Sequence, residues 1–330
     1  MSETINTKKA TVIIPNFNGM KYLPDCIASL NSQTTDDIEV VVVDNGSSDG
    51  SLEWLKANAV KHIALQKNLG FAGGVNMGLK ACRSPYAILL NNDTVVEPSF
   101  AEELIKAIER SKKIFAVSSK MVKASDHTLM DDAGDGLNIL GWAYQRGVDE
   151  PVEDYDEARY IFSACAGAAI YRMSILDEIG LFDENHFAYL EDIDLCYRAK
   201  LAGYRNYFCP KAVVYHIGSA TSGSKYNPFK VKLAARNNIY LHYKNQGSIQ
   251  LVINLLPLFI GTVLKFLFFV KKGFAKEYLA GIAEGFATLD KCTKAPRAKY
   301  GLLTYLQIEG EMICNMFEYT FSYLKRKSKA

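Results

Sequence analysis

Four apolar runs in the first part of the chain each stop at a cluster of polar or glycine residues. ATVIIP (10–15) gives way to NFNG, IEVVVVD (38–44) to NGSSDG, HIALQ (62–66) to KNLGFAGG, and YAILL (86–90) to NND. Between them lie segments of helical spacing. KYLPDCIASLNSQ places Tyr22, Leu23, Ile27 and Leu30 on one side, and GSLEWLKANA and GGVNMGLKAC follow later. Continuous apolar strands alternating with helices predict a mainly parallel sheet covered on both faces. In such sheets ligands sit beyond the carboxyl ends of the strands. The four polar clusters are therefore expected to converge on one edge.

Beyond Pro98 the pattern predicts a helix, SFAEELIKAIERS, and a strand, FAVSSKMV. The acidic, glycine-bearing stretch 124–159 reads as a hairpin or mobile loops rather than core. The segment from Tyr160 to Gly218 reads as strand, helix, loop, helix, strand. This divides the chain into a flexible N-terminus (1–9), an α/β catalytic unit (10–220) and a helical, membrane-associating region (221–330).

The net charge of +2 conceals a split between these parts. Residues 1–219 carry 21 Lys and Arg against 30 Asp and Glu, and residues 220–330 carry 17 against 6. A basic region that is also the more apolar one seeks an anionic membrane rather than nucleic acid. No basic stripe interleaved with stacking aromatics supports a nucleic-acid partner. Segment 249–270 holds one charge, Lys265, in 22 residues, which is long enough to span a bilayer. Pro257, Asn254, Lys265 and the flanking Lys271, Lys272 and Lys276 favour a helix or helix hairpin at the interface. The tail YLKRKSKA adds cations suited to anionic lipid. A helical domain packed on the sheet is the competing reading. Seven isolated cysteines without metal spacing fit reduced thiols. The polar start of the chain has no secretory pattern, and the expected location is the cytoplasmic face of the membrane.

The polar clusters hold the chemistry. Asp44 ends a strand, where a carboxylate could meet a base or ribose, or simply close an Asx turn. Gly70, Gly73, Gly74 and Gly78 could let a ligand approach the backbone. Neither a G-x-G-x-x-G fingerprint nor a P-loop is present, which argues against a dehydrogenase or a P-loop NTPase. Asp93 could bind a divalent cation whose shell is completed by phosphates and water. His216, at the end of AVVYH, is either a second ligand or a structural histidine. Glu191, Asp192 and Asp194 open a helix, where acids favour the N-terminus or one of them serves as a general base. Spacing alone does not choose.

VIIPNFNG, VVVDNGSSDGS, NLGFAGGVNMGL, LLNNDT, GAAIYRMSILDEIGLFDE and FAYLEDIDLCYRAKLAGY, in this order, resemble the inverting glycosyltransferase family 2, its bacterial rhamnosyltransferase-type branch most of all. The resemblance covers residues 10 to about 220. It implies a GT-A fold, a nucleotide-diphospho-sugar donor (dTDP- or UDP-linked), Mg²⁺ or Mn²⁺, and a glycan or lipid-linked acceptor. It places Pro15, Asn16, Phe17, Asp44 and Asn45 at the base and ribose, with Asn68, Gly70, Phe71 and Asn76 shaping the donor pocket. The family's Asp-x-Asp motif falls on Asn91-Asn92-Asp93, so its first aspartate is replaced here and Asp93 is left as the metal carboxylate. Asn91 and Asn92 remain donor-site candidates. Asp192, beside Glu191, resembles the catalytic base, and His216 resembles a completing metal ligand. Arg236 is a further candidate for the diphosphate. The rival functions are a sugar nucleotidyltransferase, which would need a Gly-rich basic loop after the first strand, and a non-catalytic membrane scaffold, which would have lost the acids.

Overall fold

The computed structural model describes residues 8–218, 226–295 and 301–329. Strands β1 (Ala10–Asn16), β2 (Ile38–Asp44), β3 (His62–Ala64) and β4 (Tyr86–Leu90) stand in the order β3-β2-β1-β4, all parallel. Helices α1 (Leu23–Asn31), α2 (Ser51–Ala57) and α3 (Gly70–Ala81) connect them. Alternate side chains of each strand enter opposite layers. Val12 and Ile14 of β1 pack with Leu23 and Leu30 of α1, while Ile13 packs with Val75 and Leu79 of α3. Fully burying each such aliphatic side chain contributes about 1.5–3 kcal/mol.

The rest of the sheet departs from the parallel expectation. β5 (Thr94–Val96) and α4 (Phe100–Glu109) lead to β6 (Ile114–Lys123), which β11 (Ala168–Arg172) separates from β4. β11 runs antiparallel to both neighbours. β12 (Arg205–His216) is parallel to β6 but antiparallel to β5 and to β10 (Arg159–Ile161). The sheet is therefore mixed. The chain enters β11 from the excursion 124–167 rather than through a crossover helix, so nothing forces it to run parallel.

That excursion is also not loop alone. β7 (Asp126–Asp132) pairs with β6, and β8 (Asp135–Leu137) forms a hairpin with β9 (Ala143–Gln145). Met130, Ala133 and Leu137 are fully buried, so this stretch supplies core as well as a hairpin.

α5 (Met173–Ile179) and α6 (Glu191–Leu201) cover the α3 face of the sheet, where Ile175, Leu176 and Leu195 join its core. α7 (Pro228–Asn245) packs on α6 through a buried ion cluster. Lys244 Nζ lies 2.9 Å from Asp194 Oδ2 and 2.5 Å from Asp183 Oδ2, and Asn245 donates to Asp194 Oδ1 at 2.7 Å. α8 (Ser248–Lys272) turns at Gly273, whose φ of +81° suits a residue without a Cβ, into α9 (Ala275–Ala287). α10 (Leu302–Lys329) then runs back along the domain.

Candidate active site

The ends of the parallel strands meet as their composition predicts. Asn16 Nδ2 donates to Asp44 Oδ1 at 3.0 Å, Asn92 Nδ2 donates to Asn16 Oδ1 at 2.7 Å, and Asn45 Nδ2 donates to Asn68 Oδ1 at 3.2 Å. Three of the four clusters share this network with the fourth, yet the side chains that build it are spent on one another. Asn16 is fully buried, and its carbonyl and amide are both engaged. Asn45 also donates to the Gly70 carbonyl and accepts from the Leu69 amide. Asn16, Asn45 and Asn92 thus form the braced floor of the edge. Pro15, Phe17, Phe71 and Asn91 are half-buried, and Asp44 is held by Asn16 and the Ser47 amide.

Three expectations need correction. Asn76 lies away from this edge: its amide bonds Phe182 O and Glu184 Oε1, and its carbonyl takes the Phe182 amide. It ties α3 to the loop before α6. Two of the glycines around α3, Gly70 and Gly78, are required by packing. Gly70 has φ +76°, and a Cβ there would lie 2.4 Å from the Phe187 carbonyl. A Cβ on Gly78 would lie 2.3 Å from Ile13. Arg236 is likewise occupied, with Glu284 and the Asn185 and His186 carbonyls around its guanidinium.

Strand pairing brings Asp93 and His216 together. β5 and β12 run antiparallel with His216 opposite Thr94, and the Ile217 amide bonds the Asp93 carbonyl. The His216 Nε2 to Asp93 Oδ1 distance is 3.3 Å, and Nδ1 lies 2.7 Å from Asp131 Oδ2. Burial opposes the charged ring, but the Asp131 and Asp93 carboxylates outweigh it and push His216 up to about 10. Once the ring gives up its Nε2 proton, as metal binding requires, a carboxylate and an imidazole nitrogen at one point, with a second carboxylate fixing the ring from behind, form a donor set that fits a hard divalent cation. Asp131 was not singled out from the sequence. Its signal was the run MDDAGDG, three acids within six residues beside apolar positions, in a stretch read as loop.

The same run supplies Asp132 and Asp135. One ligand atom from each, and Cys165 Sγ, lie within 4.8 Å of one another. Burial raises both carboxyls; the Asp132 charge raises Asp135 further, while a hydrogen bond from Asp135 restrains the rise at Asp132, so the pair retains a proton. Burial also pushes the Cys165 thiol well up, which makes it a poor ligand beside the Asp93–His216 pair.

The three acids at the start of α6 separate by environment. Asp194 is fully buried and held well below the usual range by Lys244 and Arg198, against the cost of burial. Glu191 is buried with Oε2 unbonded, and burial followed by the neighbouring Asp192 charge raises it far, so it stays neutral. Asp192 is half-buried. Burial raises it, while the Ala166 and Ile193 amides, donating at 3.2 and 2.8 Å, favour its charged form. Ala166 links Asp192 to the Asn91 end of the sheet, because the Asn91 amide bonds the carbonyl of the next residue, Gly167, at 2.8 Å. The approach to α6 is strained: Phe187, Tyr189 and Leu190 have φ of +61°, +72° and +68°. Buried Asn237 holds this turn through the carbonyls of His186, Ala188 and Tyr189.

The mixed sheet, the polar strand-end edge and the acid-bearing helix beside it define a GT-A-like α/β fold. The chain belongs to the glycosyl transferase family 2, whose model matches residues 11–180. It is similar to an uncharacterized glycosyltransferase of Haemophilus influenzae, at 26% identity over 76% of this chain and 79% of that protein. A putative glycosyltransferase, EpsH, of Bacillus subtilis is 27% identical over 47% of this chain and 44% of its own length. Among solved structures, S. aureus TarS 1-349 in complex with UDP-GlcNAc superposes with TM-score 0.57 at 18% identity, over 92% of this chain and 90% of that one. The mannosyltransferase PcManGT from Pyrobaculum calidifontis, in complex with GDP-Man and Mn²⁺, gives 0.53 at 16%, over 96% and 87%.

Proposed function

We propose that this protein is an inverting glycosyltransferase that moves a sugar from a nucleotide-diphospho-sugar to a hydroxyl of a glycan or lipid-linked acceptor. The observation that carries this reading is the meeting of Asp93 and His216, 123 positions apart in sequence, at the edge where the polar loops converge. Asp93 and His216 would hold Mg²⁺ or Mn²⁺, with Asp131 fixing the imidazole. When bound, the ion would neutralise charge developing on the departing diphosphate. TarS and PcManGT, whose structures contain UDP-GlcNAc and GDP-Man, support the donor class. A UDP- or dTDP-linked sugar, rhamnose among them, is the donor we favour.

Asp192 acts as the base. It takes the proton of the acceptor hydroxyl, whose oxygen forms a bond to the anomeric carbon as the bond from that carbon to the diphosphate oxygen breaks. Attack from the face opposite the nucleotide inverts the configuration. Glu191, kept neutral, leaves the negative charge of this pair on Asp192, and its burial strengthens Asp192 as a base. The basic, apolar C-terminal region would keep the enzyme on the cytoplasmic membrane face, beside lipid-linked acceptors in cell-surface glycan synthesis.

A hydrolysis screen over nucleotide-sugars with Mg²⁺ or Mn²⁺ tests the donor and the metal together. We expect slow hydrolysis of one donor that EDTA abolishes. Turnover indifferent to EDTA would remove the metal assignment, and hydrolysis of no donor at all would count against the transferase reading.

A further inference from the structure

Helix α8 is built inside out. Gln250, Asn254, Gly261 and Lys265 recur on one face at spacings of four and seven, and that face is turned toward the protein. Gln250 and Asn254 donate to Glu309 of α10 at 2.6 and 3.0 Å. The Gly261 carbonyl accepts from Trp142 Nε1 at 3.0 Å, and a Cβ on Gly261 would lie 2.0 Å from the Leu140 carbonyl. Farther along, Phe266 and Phe269 pack against Tyr278 of α9. The opposite face is apolar and bare: Val252 is 75% exposed, Leu256 66%, Phe259 65% and Leu267 56%. α10, joined to α8 at Glu309, repeats the arrangement. Met312 and Asn315 are buried against the domain, while Phe317 and Phe321 are 64% and 74% exposed.

In water this arrangement would be costly, because a surface helix ordinarily turns its apolar stripe to the core. The bare stripe requires an apolar partner. Among the described residues, α8 is the one helix long and apolar enough to cross a membrane. Yet its inner face contacts the catalytic unit, α9 and α10 from Gln250 to Phe269, about 28 Å of helix at 1.5 Å per residue. A hydrocarbon core is about 30 Å thick. To cross it, α8 would have to break these contacts or drag the polar domain in with it.

We propose that α8 docks flat on one leaflet of an anionic bilayer and does not span it. The occupant is lipid rather than a second copy because of charge. Exposed Lys271 and Lys272 close α8, exposed Lys276 opens α9, and exposed Lys327 lies near the end of α10. These cations meet anionic headgroups favourably, whereas two copies would bring like charges together. This inference rests on the membrane reading of the proposed function and specifies its geometry.

Single tryptophans at Ile249→Trp, Phe259→Trp and Val270→Trp in the full chain test it. The probe is vesicles of phosphatidylcholine doped with phosphatidylglycerol, brominated at shallow or deep acyl positions. Fluorescence is read as the difference from the unsubstituted protein, because Trp142 lies beneath α8. A flat helix predicts that all three reporters are quenched by shallow bromines to a similar degree. Deep quenching at Phe259→Trp with shallow quenching at both ends would overturn the flat geometry but keep the membrane reading. Leu256→Asp should weaken vesicle binding about 10- to 100-fold, with circular dichroism and donor hydrolysis preserved. If the unsubstituted chain binds no vesicles and instead dimerises through this face, with Leu256→Asp releasing monomers, both the docking and the membrane reading fall.

Discussion

In β1, Val12 and Ile14 are sealed beneath α1, and polar Asn16 stands at the strand's open end. In α8, Asn254 and Gly261 are sealed while Val252 and Phe259 face outward. Both segments are apolar runs interrupted by asparagine, but their polar groups meet different demands. At the sheet edge the polar side chains brace a floor on which charged groups can be aimed. On α8 they fasten a helix to the domain and leave its apolar side for another partner. Polarity marks a site only when something beyond the brace remains unspent, and at the sheet edge the unspent groups are Asp192 and the Asp93–His216 pair. The largest expected effect tests that claim. Asp192→Asn should lower transfer about 10²–10⁴-fold, the usual worth of general-base help, while donor affinity by calorimetry stays unchanged. Near-normal transfer by a folded variant would reduce Asp192 to another structural acid.

Its neighbour two positions on supplies the contrast. Asp194 belongs to the brace, with Lys244 and Arg198 against it. Lys244→Met leaves that carboxylate buried with Arg198 as its one adjacent cation and Asn245 as an amide donor, and removing one partner of a buried pair costs about 3–5 kcal/mol. Urea unfolding should show the loss, with transfer by the remaining folded fraction little changed. A cost below about 1 kcal/mol, the range of exposed pairs, would mean the cluster is solvated.

Much of the sheet edge could be read from residues alone, because a parallel strand buried on both faces has to shed its polar residues at an end. The four-residue run NGSS after Asp44 and NND after Leu90 did so visibly. The glycines of α3 are ambiguous in sequence because close helix–sheet packing and ligand approach require the same missing Cβ; at Gly78 the position of Ile13 beneath it shows the packing demand. β11 could not be oriented, since AAIYR reads the same in either direction. Asn237 carries no local signal at all, because its three carbonyl partners lie 48 to 51 positions away.

Asp131 was hidden for a related reason, since its value depends on a histidine 85 positions later. A carboxylate behind a ligating imidazole fixes its tautomer and raises its basicity. Asp131→Asn should therefore weaken Mn²⁺ binding about 10- to 100-fold, read as the shift in melting temperature with added Mn²⁺. Asp93→Ala should abolish that shift altogether. Equal responses from the two variants would make Asp131 a ligand rather than a support.

The smallest effect concerns two histidines of the helical layer. His186 and His242 are both buried, and burial pulls each down to about 4. His186 faces Asp194 and Asp183, which resist this, and Lys244 and Arg198, which reinforce it; His242 faces Lys265, which adds to it, and the Gly141 amide. Between pH 6.5 and 4 the unfolded chain holds a proton on each ring that the folded chain does not. The stability that these two rings control is therefore complete above about pH 6.5 and falls as pH drops toward 4, by about 1.4 kcal/mol per pH unit for each ring. Asp194 and Asp183, both held low, add a separate loss only below the ordinary aspartate range. Neither His186 ring nitrogen makes a hydrogen bond, and the ring meets Tyr240 edge-on, so a phenylalanine there loses no hydrogen bond and has no proton to exclude. His186→Phe should leave stability at neutral pH nearly unchanged and reduce the acid slope by one proton in urea titrations between pH 6.5 and 5. An unchanged slope would show that this ring is already reached by water, and that the layer joining α6 to α7 is less tightly sealed than the sheet beneath it.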